Sequence, residues 1–193
     1  MKFKIKKKHK IKYGIDWNYY RDGVSNSFIA AWLRCREKSK LQFIDRLSRT
    51  SKGTSALRFG DFFHKCLELL VHDITPAEIV SVVLDYWQRE EGLIASDEMH
   101  QAYENIAGKA ESLLTGYELF WAAEDHHRNW IAIEQYFKVP FLNTKLVGIF
   151  DAVYLDSKGN AWLMETKTRA RIDVKVSTEM LTFDLQTQLY LLA

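Results

Sequence analysis

Cysteine is scarce in this chain of 193 residues. Cys35 and Cys66 are too few for a disulfide framework, and both are expected to be free thiols in a reducing compartment. No stretch approaches the roughly 18 apolar residues of a membrane-spanning helix. The first residues also lack the apolar core of a secretory signal, so a cytoplasmic location without membrane attachment is expected. Internal repeats are absent, and only Lys2 to Lys12 approaches low complexity. With 47% hydrophobic and 27% charged residues, the chain is neither disordered nor membranous in character and is long enough for one substantial core.

The formal net charge of +2 hides an asymmetry. Seven lysines lie within residues 1–12, leaving 20 of the 27 basic residues against all 25 acidic ones. The body is acidic and the N-terminus is basic. Such a tail could grip phosphates through counterion release. It could equally be a strand with an exposed lysine face, because Phe3, Ile5 and Ile11 fall at odd positions.

The middle of the chain reads as helical. Ser25-Asn-Ser27 precedes Phe28, Ile29, Trp32 and Leu33, a capping signal followed by apolar residues at helical spacing. A second helix is expected over about 58–72, and a third from Pro76, preorganised for a first turn, to near Glu91. A longer one should run from Ser96 to about Ala123, burying Tyr103, Ile106, Leu113, Leu114, Tyr117 and Phe120. His126 and His127 follow its end as solvated residues favoured there by the helix dipole. Residues 131–139 alternate as a strand, and Leu181–Leu192 reads as the last helix. Trp87, Trp121 and Trp130 could stack unpaired bases, but packing is the preferred reading.

Residues 144–155 and 161–168 are rich in Val, Ile, Leu, Phe and Trp and are separated by Asp156-Ser-Lys-Gly-Asn160, whose residue types favour a tight reversal. Two antiparallel strands follow. Side chains alternate along a strand, so Glu165 and Lys167 share a face, and Asp151 falls across from about residue 165. Two carboxylates pressed together repel unless one protonates or a cation sits between them. Oxygen donors favour Mg²⁺ or Mn²⁺, and the carbonyl of Thr166 is placed as a further ligand. Lys167 adds a positive charge able to orient an attacking water or stabilise charge developing on a phosphate. Phosphodiester hydrolysis needs that set of parts. On these three residues alone, a solvated surface face is an equally good account.

Two further patterns tip that balance. Gly60-Asp-Phe-Phe-His64 opens an amphipathic helix (Phe63, Leu67, Leu70, Val71), and Gln186-Thr-Gln-Leu-Tyr190 puts Gln186 and Tyr190 on one helical face. With Gly148-Ile-Phe-Asp151 and Glu165-Thr-Lys167, the chain resembles the PD-(D/E)XK nuclease superfamily. Within it, the resemblance is to the RecB-like exonuclease group, in which a G-x-x-x-H helix, a G-x-x-D…E-x-K hairpin and a Q-x-x-x-Y helix follow in this order. The likeness covers roughly residues 25–193.

The resemblance implies an α/β restriction-endonuclease-like core, with a central mixed sheet flanked by helices and a helical N-terminal half. A Lys-rich segment, 1–24, would precede the nuclease domain. His64, Asp151 and Glu165 would be metal ligands, Lys167 the catalytic lysine, and Gln186 and Tyr190 supports beside the site. Glu134, in the preceding strand, is a weaker candidate, and Arg169 and Arg171 are candidates for phosphate contact or simply a solvated loop.

The implied activity is that of a Mg²⁺- or Mn²⁺-dependent deoxyribonuclease acting on single- or double-stranded DNA in repair, recombination or phage DNA processing, with a helicase or recombinase as partner. A non-cleaving DNA-binding module on the same fold is the alternative. Some relatives, including AddB-type and CRISPR-adaptation nucleases, place a cysteine near Cys35 and three more beyond the last helix to hold a 4Fe–4S cluster. This sequence has no cysteine after Cys66, so it does not supply those three. It ends in the uncapped apolar run Leu189-Tyr-Leu-Leu-Ala193, which suggests a truncated domain.

Overall fold

The computed structural model describes residues 13, 14, 16–47, 55–72, 74–90, 97–169, 178, 179 and 184–193. The Lys-rich stretch 1–12, Arg171 and residues 181–183 of the expected last helix lie outside the described residues. Elements follow in the order α1 (Tyr19–Asp22), β1 (Val24–Ser25), α2 (Asn26–Arg34), α3 (Arg36–Ser39), a π-helical turn (Lys40–Ile44), α4 (Ser55–Leu70), α5 (Pro76–Glu90), α6 (Asp97–Asp125), β2 (Asn129–Phe141), β3 (Thr144–Leu155), β4 (Ala161–Met164) and α7 (Leu185–Leu191). The mixed α/β class expected from the sequence is what the chain adopts. No helix among the described residues is long and apolar enough to cross a membrane.

The chain divides into two compact units. One comprises the described residues within 53–130 and 154–161. Here α4, α5 and α6 pack on one another through residues at helical spacing: Phe62, Cys66 and Leu69; Ile79, Val83 and Trp87; Tyr103, Ile106, Ala110 and Leu114. Trp87 meets both Phe62 and Tyr103 edge to face, with centroids 5.3 and 5.8 Å apart, so this indole belongs to the core as expected. The Cys66 thiol is fully buried, and burial pushes its pKa up to about 12.

The burial expected along α6 needs correction at two positions. Leu113 and Phe120 are exposed, at 51% and 74%, because α6 turns the centre of the Tyr103–Ile106–Ala110–Leu114 stripe inward and these two fall to one side of it, roughly 65° and 85° away. Past the helix end, the Arg128 guanidinium lies over the rings of Tyr154 (4.9 Å), Trp121 (5.7 Å) and Trp130 (5.9 Å) and pairs with Asp125 and Glu124. Trp121 and Trp130 are thus committed to packing.

The second unit comprises the described residues within 8–52, 131–153 and 162–193. Its sheet runs β1-β3-β2, with β4 also pairing β3. β1 is parallel to β3, Val24 opposite Leu146 and Ser25 opposite Val147. Gly23 permits that approach: its φ of +86° suits glycine, and a Cβ there would stand 2.6 Å from the Lys145 carbonyl oxygen. Ser25 then caps α2, its Oγ accepting from the Phe28 N–H (3.2 Å) and from the Tyr13 hydroxyl (2.9 Å). Phe137, Leu146 and Leu189 form the core that seats α7, with Ile29 of α2, Phe150 and Tyr190 around it.

One buried pair in the helical unit escaped the sequence pattern. Lys65 and Glu68 on α4 are 4% and 7% exposed, and Lys65 Nζ donates to Glu68 Oε2 at 2.6 Å. Deleting Lys65 removes the cation that faces the buried Glu68 carboxylate. Lys65→Met is therefore expected to lower unfolding free energy by about 3–5 kcal/mol in urea titrations, while Lys65→Met combined with Glu68→Leu recovers most of it. Equal losses in the two proteins would show that the pair is not what the site needs.

Candidate active site

The site residues of the sheet unit arise from β2, β3, the chain leaving β4, and α7. Asp151 sits on β3, half-buried, and its Oδ2 accepts the Thr166 N–H at 2.8 Å. That bond redirects a backbone donor from the sheet ladder to a side chain, so β4 ends at Met164 instead of running to 168 as the sequence suggests. Glu165, Thr166 and Lys167 then lie just past the strand.

Lys167 Nζ donates to Glu165 Oε1 and to Gln186 Oε1 (2.8 Å), and Gln186 Nε2 donates to the same Glu165 oxygen at 2.7 Å. Carboxylate, ammonium and amide thus close a triangle in which each is oriented by the other two. The Glu165 side chain is 18% exposed and that of Lys167 46%, so the ammonium reaches solvent from a carboxylate that is largely covered. The structure thus brings Glu165, Lys167 and Gln186 together.

Tyr190 follows one helical turn after Gln186 on α7, a helix capped by the Asp184 carboxylate, which accepts the Thr187 N–H at 2.9 Å. Its ring stands edge-on to Phe137 and Phe150, which stack on each other with centroids 4.3 Å apart. Gly148 makes room for this cluster, since a Cβ there would lie 2.6 Å from Phe137 Cζ and 3.2 Å from Tyr190 Cε1. The glycine of the G-x-x-D pattern is therefore a packing requirement three residues before the acid. Burial, together with the negative charge of Glu165 and then Asp151, pushes the Tyr190 phenol up to about 12, against hydrogen bonds with the Gln186 side chain and the Ile149 backbone. Tyr190 remains a protonated O–H donor at neutral pH.

Glu134, the weaker candidate in the sequence, is brought to Asp151: a carboxylate oxygen of each lies within 4.8 Å of the other. The cause is local. Glu134 has φ +48°, a left-handed conformation inside a strand, and the inward positions of β2 change phase around it, from Trp130 and Ala132 before to Phe137, Val139 and Phe141 after. This left-handed residue marks the point where the phase shifts, at a strain of about 1–3 kcal/mol. Phase breaks of this kind leave no mark in residue types.

Two acidic oxygens at this spacing suit a hard divalent cation, whose opposite oxygen ligands stand roughly 4–5 Å apart. Zinc, which prefers Cys and His, is the poorer match for this pair. His64 is half-buried on α4 in the helical unit. Arg169 is exposed, as a phosphate contact or a solvated residue would be. Cys35 is exposed and free, and Cys66 free and buried.

A family model described as the PD-(D/E)XK nuclease superfamily matches residues 24–193. No curated protein and no solved structure gives a significant match.

The Tyr190 phenol makes alkaline stability a readout of this geometry. With a folded pKa of about 12 against about 10 unfolded, its contribution is fully present below pH 10 and is lost as pH rises from 10 through 12. Cys66 and Tyr117, also raised to about 12, act in the same direction. Tyr190→Phe should therefore lose less stability than the parent over that interval in pH-stepped denaturation, and parallel losses would contradict the assignment.

Proposed function

The chain belongs to the PD-(D/E)XK nuclease superfamily, and from that premise we propose that it is a Mg²⁺- or Mn²⁺-dependent deoxyribonuclease of RecB-like type. The observation that carries the proposal is the triangle of Glu165, Lys167 and Gln186 next to the Asp151–Thr166 bond. A solvated hairpin face has no reason to hold a lysine between a covered carboxylate and a helix amide.

We assign Asp151, Glu165 and His64 as metal ligands, with Glu134 and the Thr166 carbonyl as further donors. His64 is included on its place in the G-x-x-x-H pattern, Glu134 on its approach to Asp151. A bound cation supplies Lewis-acid polarisation of the scissile phosphate and offsets the clustered carboxylate charge. Lys167 holds the attacking water or the developing negative charge through its exposed ammonium, and Gln186 fixes where that ammonium points. Tyr190 keeps its proton and offers an O–H donor beside the same group. Exonucleolytic action, a role in repair, recombination or phage DNA processing, and a helicase or recombinase partner belong to this reading through the RecB-like motif order.

End-labelled single- and double-stranded DNA incubated with Mg²⁺ or Mn²⁺ is expected to be cut, with mononucleotide or short products if the action is exonucleolytic. Lys167→Ala should reduce the rate by about 10²-fold or more with an unchanged thermal melt. Asp151→Asn should abolish the Mn²⁺ binding seen by calorimetry. Intact DNA with folded parent protein, together with salt-sensitive binding and no metal heat, would instead identify a non-cleaving DNA-binding module.

A further inference from the structure

Resting on the nuclease reading, we propose that α2 and α3 carry a landing platform for unpaired DNA, in which the Trp32 indole stacks one base and Arg34, Arg36 and Lys38 hold the adjoining phosphates. The platform is the open end of an aromatic column. Tyr13 and Phe28, 7% and 8% exposed, lie nearly parallel (centroids 5.3 Å apart, planes 12°), and Phe28 continues onto Trp32 (6.1 Å, 18°). Trp32 ends the series at 44% exposure. Its lower neighbours are fixed, since Tyr13 and Ser25 exchange hydrogen bonds of 2.9 Å in both directions and Ser25 belongs to the sheet. An indole already oriented by such a column loses little freedom when a further flat ring is added, and a nucleobase is the flat ring a nuclease meets.

Charge points to the same ligand. Residues 34–38 carry Arg34, Arg36 and Lys38 against Glu37 alone, and all five are exposed, in a chain whose residues beyond the N-terminal lysines are net acidic. Lys40, next in the series, is committed to Asp45 at 2.7 Å. The Arg36 guanidinium sits over the Trp32 ring, 5.6 Å from its centroid. It covers the indole in the absence of DNA and can turn to a phosphate when a base takes its place, because a guanidinium serves equally as a stacking plane and as a fork for phosphate oxygens. Three residues before Trp32 on the same helix, Ile29 packs against the core that seats α7, the helix of Gln186 and Tyr190. Platform and catalytic helix are therefore joined within one unit.

A base inside a duplex hides both faces, so this platform selects single strands or frayed ends. The test uses Lys167→Ala protein in EDTA, where cutting is absent, and the anisotropy of a labelled oligo(dT) against a hairpin-closed duplex. Trp32→Ala is expected to weaken oligo(dT) binding by about 5- to 100-fold, with Trp32→Phe restoring most of it and duplex affinity changing less than about twofold. Arg34→Glu with Arg36→Glu, both at exposed positions that leave folding intact, should weaken oligo(dT) binding and flatten its salt dependence. Unchanged oligo(dT) affinity in Trp32→Ala, or an equal loss on the duplex, overturns the platform. Cleavage by the Lys167 parent is measured separately. Active parent protein with an indifferent Trp32 removes the platform alone, whereas Trp32-dependent binding by a parent that never cuts removes the nuclease reading alone.

Discussion

A single backbone donor, the N–H of Thr166, governs where the charged end of β4 goes. In an uninterrupted strand it would bond to a neighbouring strand, and Glu165 and Lys167 would continue along the pleat. Bonded to Asp151 instead, it ends the strand at Met164 and gathers one acid, one peptide unit and the following lysine around β3. The Gln186 amide can then donate to Glu165 and accept from Lys167 at once, which only a side chain carrying both N–H and C=O achieves. The same placement brings the Glu165 charge near the Tyr190 phenol, where it adds to the effect of burial in raising that group.

Packing does the corresponding work on the apolar side. Gly148, Phe137, Phe150 and Tyr190 fill one volume, and the absence of a side chain at 148 lets the α7 aromatic come down onto the sheet. Since Gln186 and Tyr190 share a helix, seating the ring also sets the reach of the amide. The glycine and the tyrosine of two separate motifs are thus the two halves of one contact. Their order along the chain reflects a steric fit as much as a catalytic one.

Much of this was legible in the residues. β3 occupies 144–155, as its run of β-branched and aromatic residues indicates, Pro76 opens α5, and Ser25 caps α2. What failed did so where a specific partner overrode a periodic pattern. β4 stops short because a carboxylate fifteen residues earlier captures its donor. Leu113 and Phe120 continue the apolar periodicity of the buried α6 stripe but fall at its margin, on the side that faces water. The inward Lys65 and Glu68 run against the rule that charges face water, and no alternation or moment anticipates an ion pair that neutralises itself in a core. The left-handed backbone at Glu134 is likewise an event that side-chain types do not encode.

The helical unit also carries its own clock. The Cys66 sulfur sits among Phe62, Leu69 and Val83 with no solvent contact and a thiol held in its unreactive protonated form, while Cys35 stands in the open. An alkylating reagent therefore meets one thiol at once and the other only when the three-helix core breathes. The ratio of the two modification rates, after allowance for their intrinsic reactivities, converts directly into the opening free energy of that core.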